Sequence, residues 1–146
     1  IYDGWDGIRL TEIDRAELNR IAFIDHTDCI PDWYTPVLAS SDDVMEQRPD
    51  DLRAFLAATR RGYQAAIADP QAAADAVMDV APDLDSDLVE RSARFLADRY
   101  ASDPDIWGRQ DAKIWERFTA FLVKAGMVEA GFDSTQAWTG DFLDQR

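Results

Sequence analysis

The stretch Asp32-Trp33-Tyr34-Thr35-Pro36-Val37-Leu38-Ala39-Ser40 constrains the fold of this chain more than any other, because the pattern differs on its two sides. Upstream lies a mixed segment of aromatics, glycines and one short apolar run, Ile21-Ala22-Phe23-Ile24. Downstream, almost to the end, apolar residues recur at the three- and four-residue steps of amphipathic helices. Within the stretch, Thr35, Val37 and Leu38 suit a strand, and Pro36 restricts the residue before it to extended backbone. The reading is an α/β chain, mostly helical, with two or three short strands, at Ile21–Ile24 and at Thr35–Ala39. Buried strands of this kind need neighbours on both sides. This chain has too few, so the rest of the sheet is expected from a missing N-terminal half or from a second copy. The first residue, Ile1, agrees with the expectation of a piece of a longer protein.

The helices announce themselves by their ends. Ser40-Ser41-Asp42-Asp43 caps a short helix running to about Gln47. Pro49 with Asp50 and Asp51 opens a longer one, striped by Leu52, Phe55, Leu56, Thr59, Tyr63 and Ile67 and ending near Ala68. Pro70 opens the next, and Ala81-Pro82-Asp83 breaks it. Asp85 or Ser86 caps a helix with Leu88, Val89, Phe95, Leu96 and Tyr100 on one side. Asp111 starts a further helix carrying Ile114, Trp115, Phe118, Phe121 and Leu122. Gly126 followed by Met127 reads as its left-handed C-terminal cap with a hydrophobic contact. Less regular spacing predicts a helix from Ile8 to near Leu18, a glycine-punctuated loop over Ile1–Gly7, and a last short helix over Gln136–Leu143. Phe55, Tyr63, Phe95, Phe118 and Phe121 lie in the stripes and are expected in the core.

A length of 146 residues suits one domain with a real core, and a 47% hydrophobic share is that of a globular chain. The net charge of −14 excludes nucleic acid, since neutralising phosphates takes clustered Lys and Arg. It also excludes attachment to an anionic membrane surface by charge. Cys29 is the only cysteine and cannot form an internal disulfide. No apolar run is long enough to span a bilayer.

The chemistry-bearing residues are few. No nucleophile elbow, phosphate-binding Gly-Lys-Ser/Thr loop or dinucleotide fingerprint is present. His26, Asp28 and Cys29 lie close together but lack the second ligand pair of a zinc site. Asp83, Asp85 and Asp87 lack the glycine and closing glutamate of a calcium loop and are read as helix caps. No catalytic residue, metal ligand or cofactor is assigned. The stretch Tyr2-Asp3-Gly4-Trp5-Asp6-Gly7 differs, because its aromatics stand beside glycines, where a core role is less natural. Tyr2 and Trp5 offer flat rings to stack on, and Asp6 offers a hydrogen-bond acceptor: an apolar wall with a placed polar group. A surface turn leading into a helix accounts for the same residues equally well.

Taken in order, these motifs resemble the substrate-binding proteins of ABC transporters, in the subgroup typified by binders of thiamine-pyrimidine precursors. Tyr2-x-Gly4-Trp5-Asp6-Gly7 is similar to that family's Tyr-x-Gly-Trp-Glu-Gly, with aspartate in place of glutamate. Asp32 to Val37 resembles its aspartate-aromatic-Tyr-Thr-Pro-Val stretch, and Arg48-Pro49-Asp50-Asp51-Leu52-Arg53-Ala54-Phe55-Leu56 its helix opening. The likeness continues through Gly62-Tyr63, Asp69-Pro70, Trp107-Gly108, Trp115 with Phe118, and Phe142-Leu143. It implies a two-lobed periplasmic-binding fold of type II, of which this chain is the C-terminal portion. Residues 1–34 would then end the second lobe and carry the ligand loop. Residues 35–146 would be the return crossing and the C-terminal helices of the first lobe. It implies a non-catalytic protein of an ABC importer that holds a small heteroaromatic metabolite through Tyr2, Trp5, Asp6 and Tyr34. Tyr34 and Thr35 would serve as the hinge, a membrane permease as the partner, and the periplasm or a lipid-anchored cell surface as the compartment. Two other readings stay open: an enzyme of the same fold that makes a pyrimidine precursor, whose cysteine and histidine signatures the chain lacks, and a helical protein-interaction module.

Overall fold

A computed structural model describes residues 2–17, 19, 30–101 and 103–143. It is mostly helical. Two π-helical turns, Asp3–Gly7 and Arg9–Ile13, open the chain. Five α-helices follow: α1 (Asp42–Gln47), α2 (Pro49–Ala68), α3 (Pro70–Val80), α4 (Ser86–Ala97) and α5 (Ala112–Lys124). Single 3₁₀ turns lie at Pro104–Ile106 and Ser134–Gln136.

The helix ends follow the local chemistry. The Ser41 hydroxyl accepts from the Val44 N–H at the start of α1. The Asp69 carboxylate accepts from the Ala72 N–H at 3.0 Å, with Pro70 at the first position of α3. Asp85, not Ser86, caps α4, accepting from the N–H groups of Asp87 (3.1 Å) and Leu88 (3.3 Å). Asp111 caps α5 through the Lys113 N–H at 2.8 Å. Each such cap satisfies a donor that the first helical turn leaves over, at about 1 kcal/mol. The C-terminus of α5 closes as a Schellman motif. Gly126 has φ +72°, its N–H reaches the Val123 carbonyl, and the Met127 N–H reaches Leu122 O at 2.9 Å. Met127 itself is 74% exposed, so the backbone bonds and the glycine close this end without a buried methionine.

The chain divides into two compact units. The first joins Ile1–Asn19 to Ala57–Trp107. In it α3 and α4 pack together, and the first π-helical turn packs on α4. Ile8, Ala74, Leu88, Val89 and Ala97 are buried here, Leu88 completely. The second joins Arg20–Leu56 to Gly108–Arg146. Its contacts run between aromatic rings on α5, the Trp33-Tyr34 pair and the 134–143 segment.

Several expectations need correction. No strand forms among the described residues, and Thr35–Ala39 is exposed, non-helical chain. The reason is physical: a strand exists through its neighbour, and no neighbouring strand lies among the described residues. The segment is held instead by the side chains of Trp33 and Tyr34. The strand expected at Ile21–Ile24 lies outside the described residues. The expected loop over Ile1–Gly7 is a helical turn, and the helix expected from Ile8 towards Leu18 is a π-helical turn ending at Ile13. Two residues later Arg15 takes a left-handed φ of +52°. The last helix, over Gln136–Leu143, is replaced by the shorter 3₁₀ turn Ser134–Gln136. Among the stripe aromatics placed in the core, Phe55 is 56% exposed, and Tyr63, Phe95, Phe118 and Phe121 are half-buried.

Candidate functional site

The π-helical turn Asp3–Gly7 is built on the backbone of Tyr2. The Tyr2 carbonyl accepts from the N–H groups of Trp5 (3.1 Å) and Gly7 (3.2 Å). The Tyr2 N–H donates to the Asp6 carboxylate oxygen Oδ2 at 2.9 Å. Both hydrogen-bonding groups of the Tyr2 backbone are therefore engaged, while its side chain leaves the residue 78% exposed. Trp5 and Asp6 are half-buried.

Glycine is required beneath this turn for room. Gly4 is buried against α4, and a Cβ there would stand 2.9 Å from Leu96 Cδ2 and 3.1 Å from Phe95 Cδ1. Without that Cβ the backbone of the turn lies directly on the apolar side of α4. The second π-helical turn continues the arrangement. The Thr11 hydroxyl donates to the Gly7 carbonyl at 2.7 Å. Glu12 pairs with Arg91 of α4 at 3.0 Å, and Arg91 also bonds Asp87 at 2.9 Å. These carboxylates hold the Arg91 guanidinium above its ordinary pKa, the hydrogen bond to Asp87 contributing most and that to Glu12 next.

Also in the first unit, α2 presents Arg60, Tyr63 and Gln64 on one face. Arg60 donates to the Asp105 carbonyl and Gln64 to the Pro104 carbonyl at 3.2 Å. Tyr63 stacks on Trp107 with ring centroids 4.9 Å apart and meets Tyr100 edge-on at 4.9 Å. Burial, with Tyr63 adding a smaller push, raises the pKa of the Tyr100 hydroxyl.

Tyr34 belongs to the second unit and has partners there. Its hydroxyl accepts from the Asp111 N–H at 2.7 Å, and its ring tilts against Trp115 at 6.2 Å. Trp115 in turn stacks on Trp138 at 6.4 Å and donates from Nε1 to Gln110 at 2.8 Å. Trp33 stacks on Phe118 at 5.8 Å. Of the four residues singled out in the sequence, Tyr2 and Asp6 are brought into direct contact. Trp5 shares their turn, and Tyr34 is engaged at the head of α5. Thr35 is exposed.

Sequence reasoning missed the Asp6 bond to the Tyr2 backbone, because its four-residue spacing from a tyrosine matches no capping box, which pairs Ser or Thr with Glu or Gln three residues on. It had no signal for Glu12–Arg91 or Tyr34–Asp111, whose partners are 79 and 77 residues apart. Among the described residues, no group of His, Cys, Asp and Glu is arranged to hold a metal, and no helix is long and apolar enough to cross a membrane. His26 and Cys29 lie outside the described residues.

Comparison with known proteins places these features in a family. The riboflavin-binding protein RibY of Chloroflexus aurantiacus is 26% identical over 113 residues, which is 73% of this chain and 32% of that protein. The chain thus spans about a third of the length of this relative. The NMT1/THI5-like family matches residues 1–73, which take in both π-helical turns, α1, α2 and the start of α3. On that match to one half of its length, the chain belongs to the NMT1/THI5-like family.

Proposed function

We propose that this chain is part of a non-catalytic solute-binding protein that captures a small heteroaromatic metabolite for an ABC importer. The observation that carries the reading is the exposed Tyr2 ring on a backbone bonded at both its N–H and its carbonyl. An exposed aromatic on a fixed backbone suits stacking on a planar ligand, because only its two side-chain torsions remain to be ordered on binding. The family match and the likeness to a riboflavin-binding protein support the same class. Turns of the π type are rare and recur at functional sites, which agrees with it.

In this reading Tyr2 and Trp5 supply ring faces, and Asp6 of the same turn holds the Tyr2 backbone. The ligand is a fused or single nitrogen heterocycle, either an isoalloxazine or a thiamine-type pyrimidine. Residues 1–34 and 35–146 would fall to two lobes of a larger protein, closing by rotation at Tyr34 and Thr35. The compact units of this chain divide it elsewhere, after Asn19, Leu56 and Trp107. A membrane permease would receive the solute, on the outer side of the cytoplasmic membrane.

Titration calorimetry of the parent protein with riboflavin and a panel of aminopyrimidines tests the reading. Saturable heat with one of them is the expected result. No heat across the panel overturns the ligand class.

A further inference from the structure

We infer that Asp6 is a positioning residue, which fixes the Tyr2 ring for ligand through the Tyr2 backbone and does not itself contact the ligand. The inference rests on the reading of Tyr2 as a stacking wall. The geometry gives Asp6 a different partner from the one its charge suggests. Its Oδ2 accepts from the Tyr2 N–H at 2.9 Å. The carbonyl of the same residue accepts from Trp5 and Gly7. Three hydrogen bonds thus converge on the Tyr2 backbone, and the residue whose ring they carry is 78% exposed. The floor is also fixed: Gly4 lies against Phe95 and Leu96 with no room for a Cβ. Removing the Asp6 carboxylate would release the N–H of Tyr2 and leave the ring attached through the carbonyl side alone. A carboxylate so occupied acts on the ligand through the place where the Tyr2 backbone sets the ring. The ligand class then follows from ring shape and stacking more than from a cationic or amino group facing a carboxylate.

The test separates acceptor from charge. Asp6→Asn keeps an oxygen for the Tyr2 N–H and removes the charge; Asp6→Ala removes both. With riboflavin as the probe and the parent protein throughout, Asp6→Asn is expected to bind within about threefold of wild type. Asp6→Ala is expected to bind about tenfold more weakly, the order of one lost hydrogen bond. Amide hydrogen exchange without ligand gives the second readout: exchange at the Tyr2 N–H is expected to accelerate in Asp6→Ala and to stay slow in Asp6→Asn. Equal loss of affinity in both variants, with Tyr2 still protected in Asp6→Asn, overturns the positioning role in favour of a direct charge contact. An unprotected Tyr2 amide in wild type overturns it whatever riboflavin does. Tyr2→Ala isolates the underlying reading. Unchanged affinity there removes Tyr2 from the site, and absent binding by wild type removes riboflavin; in both cases the exchange measurement still decides whether Asp6 holds Tyr2.

Discussion

In the unit formed by Ile1–Asn19 and Ala57–Trp107, Leu88 is fully enclosed and Ile8, Ala74, Val89 and Ala97 are at most 5% exposed. In the unit formed by Arg20–Leu56 and Gly108–Arg146, no described residue is buried to that degree. The second unit is not poorer in apolar side chains. It has Trp33, Trp115, Trp138, Phe118 and Phe121 in ring contact, and Val37, Leu38, Met127 and Phe132 exposed. The difference is in how the residues are used. Small and branched side chains between α3 and α4 allow close approach and closure, and the gain is area removed from water. Rings at 5.8 to 6.4 Å keep each side chain partly wet, and the gain is largely pairwise. The first unit should accordingly resist truncation poorly at single sites, and the second should yield in small steps.

The sharpest test of that contrast is Leu88→Ala against Phe118→Ala. A fully buried leucine cut to alanine leaves a cavity and costs about 2–5 kcal/mol. Phe118 is half-buried, and its loss removes two ring pairs, roughly 1–3 kcal/mol beyond the area it buries. Denaturant unfolding reads both. Equal costs would break the comparison.

Gly4→Ala probes the same core from its edge, with a cost of about 1–3 kcal/mol for overpacking. The added methyl meets side-chain atoms of Leu96 and Phe95 on α4, which must shift to admit it. The same change should weaken any ligand that stacks on Tyr2, so thermal unfolding and ligand titration should move together. A stability loss with affinity unchanged would separate the core from the site.

Tyr34→Phe removes one acceptor in the second unit and keeps the ring. The Asp111 N–H loses its 2.7 Å partner, for about 0.5–1.5 kcal/mol. Because Asp111 also caps α5, the change should appear as faster amide exchange in the first turn of that helix. Exchange unchanged there would show that the ring contacts Tyr34–Trp115 and Trp33–Phe118 seat the segment without the hydroxyl.

How much of this was legible in the sequence follows from the same contrast. The bounds of α1, α2 and α3 and the caps of α4 and α5 were readable because each is set by residues a few positions apart: Ser41 and Val44, Asp69 and Ala72, Asp85 and Leu88. The Schellman turn at Gly126 was equally local. The strand at Thr35–Ala39 misled because β-propensity describes a residue that fits a pleated surface, and none of the described chain supplies one. Asp6 was singled out as a hydrogen-bond acceptor for a ligand, while its observed partner is the N–H of Tyr2. Tyr34 was singled out for its place at the crossing, and its hydroxyl turned out to serve a helix start 77 residues away. Long-range pairings of this kind leave no periodic trace, so the site residues were visible as types and invisible as partners.

The smallest effect expected belongs to pH, and it should appear in the first unit. Burial, and to a lesser extent Tyr63, raises the pKa of the Tyr100 hydroxyl above its ordinary value near 10. A raised folded-state pKa means that the native state holds the proton more tightly than the unfolded chain does. The stabilisation is therefore fully present below the unfolded value and is lost as the pH climbs through the folded one. Unfolding followed from neutral pH into the alkaline range should show a decline beginning near pH 10, and Tyr100→Phe should flatten that decline. Tyr63 sits edge-on to Tyr100 and stacks on Trp107, so tryptophan fluorescence offers a local view of the same transition. An alkaline decline that Tyr100→Phe leaves untouched would move its origin away from this aromatic cluster.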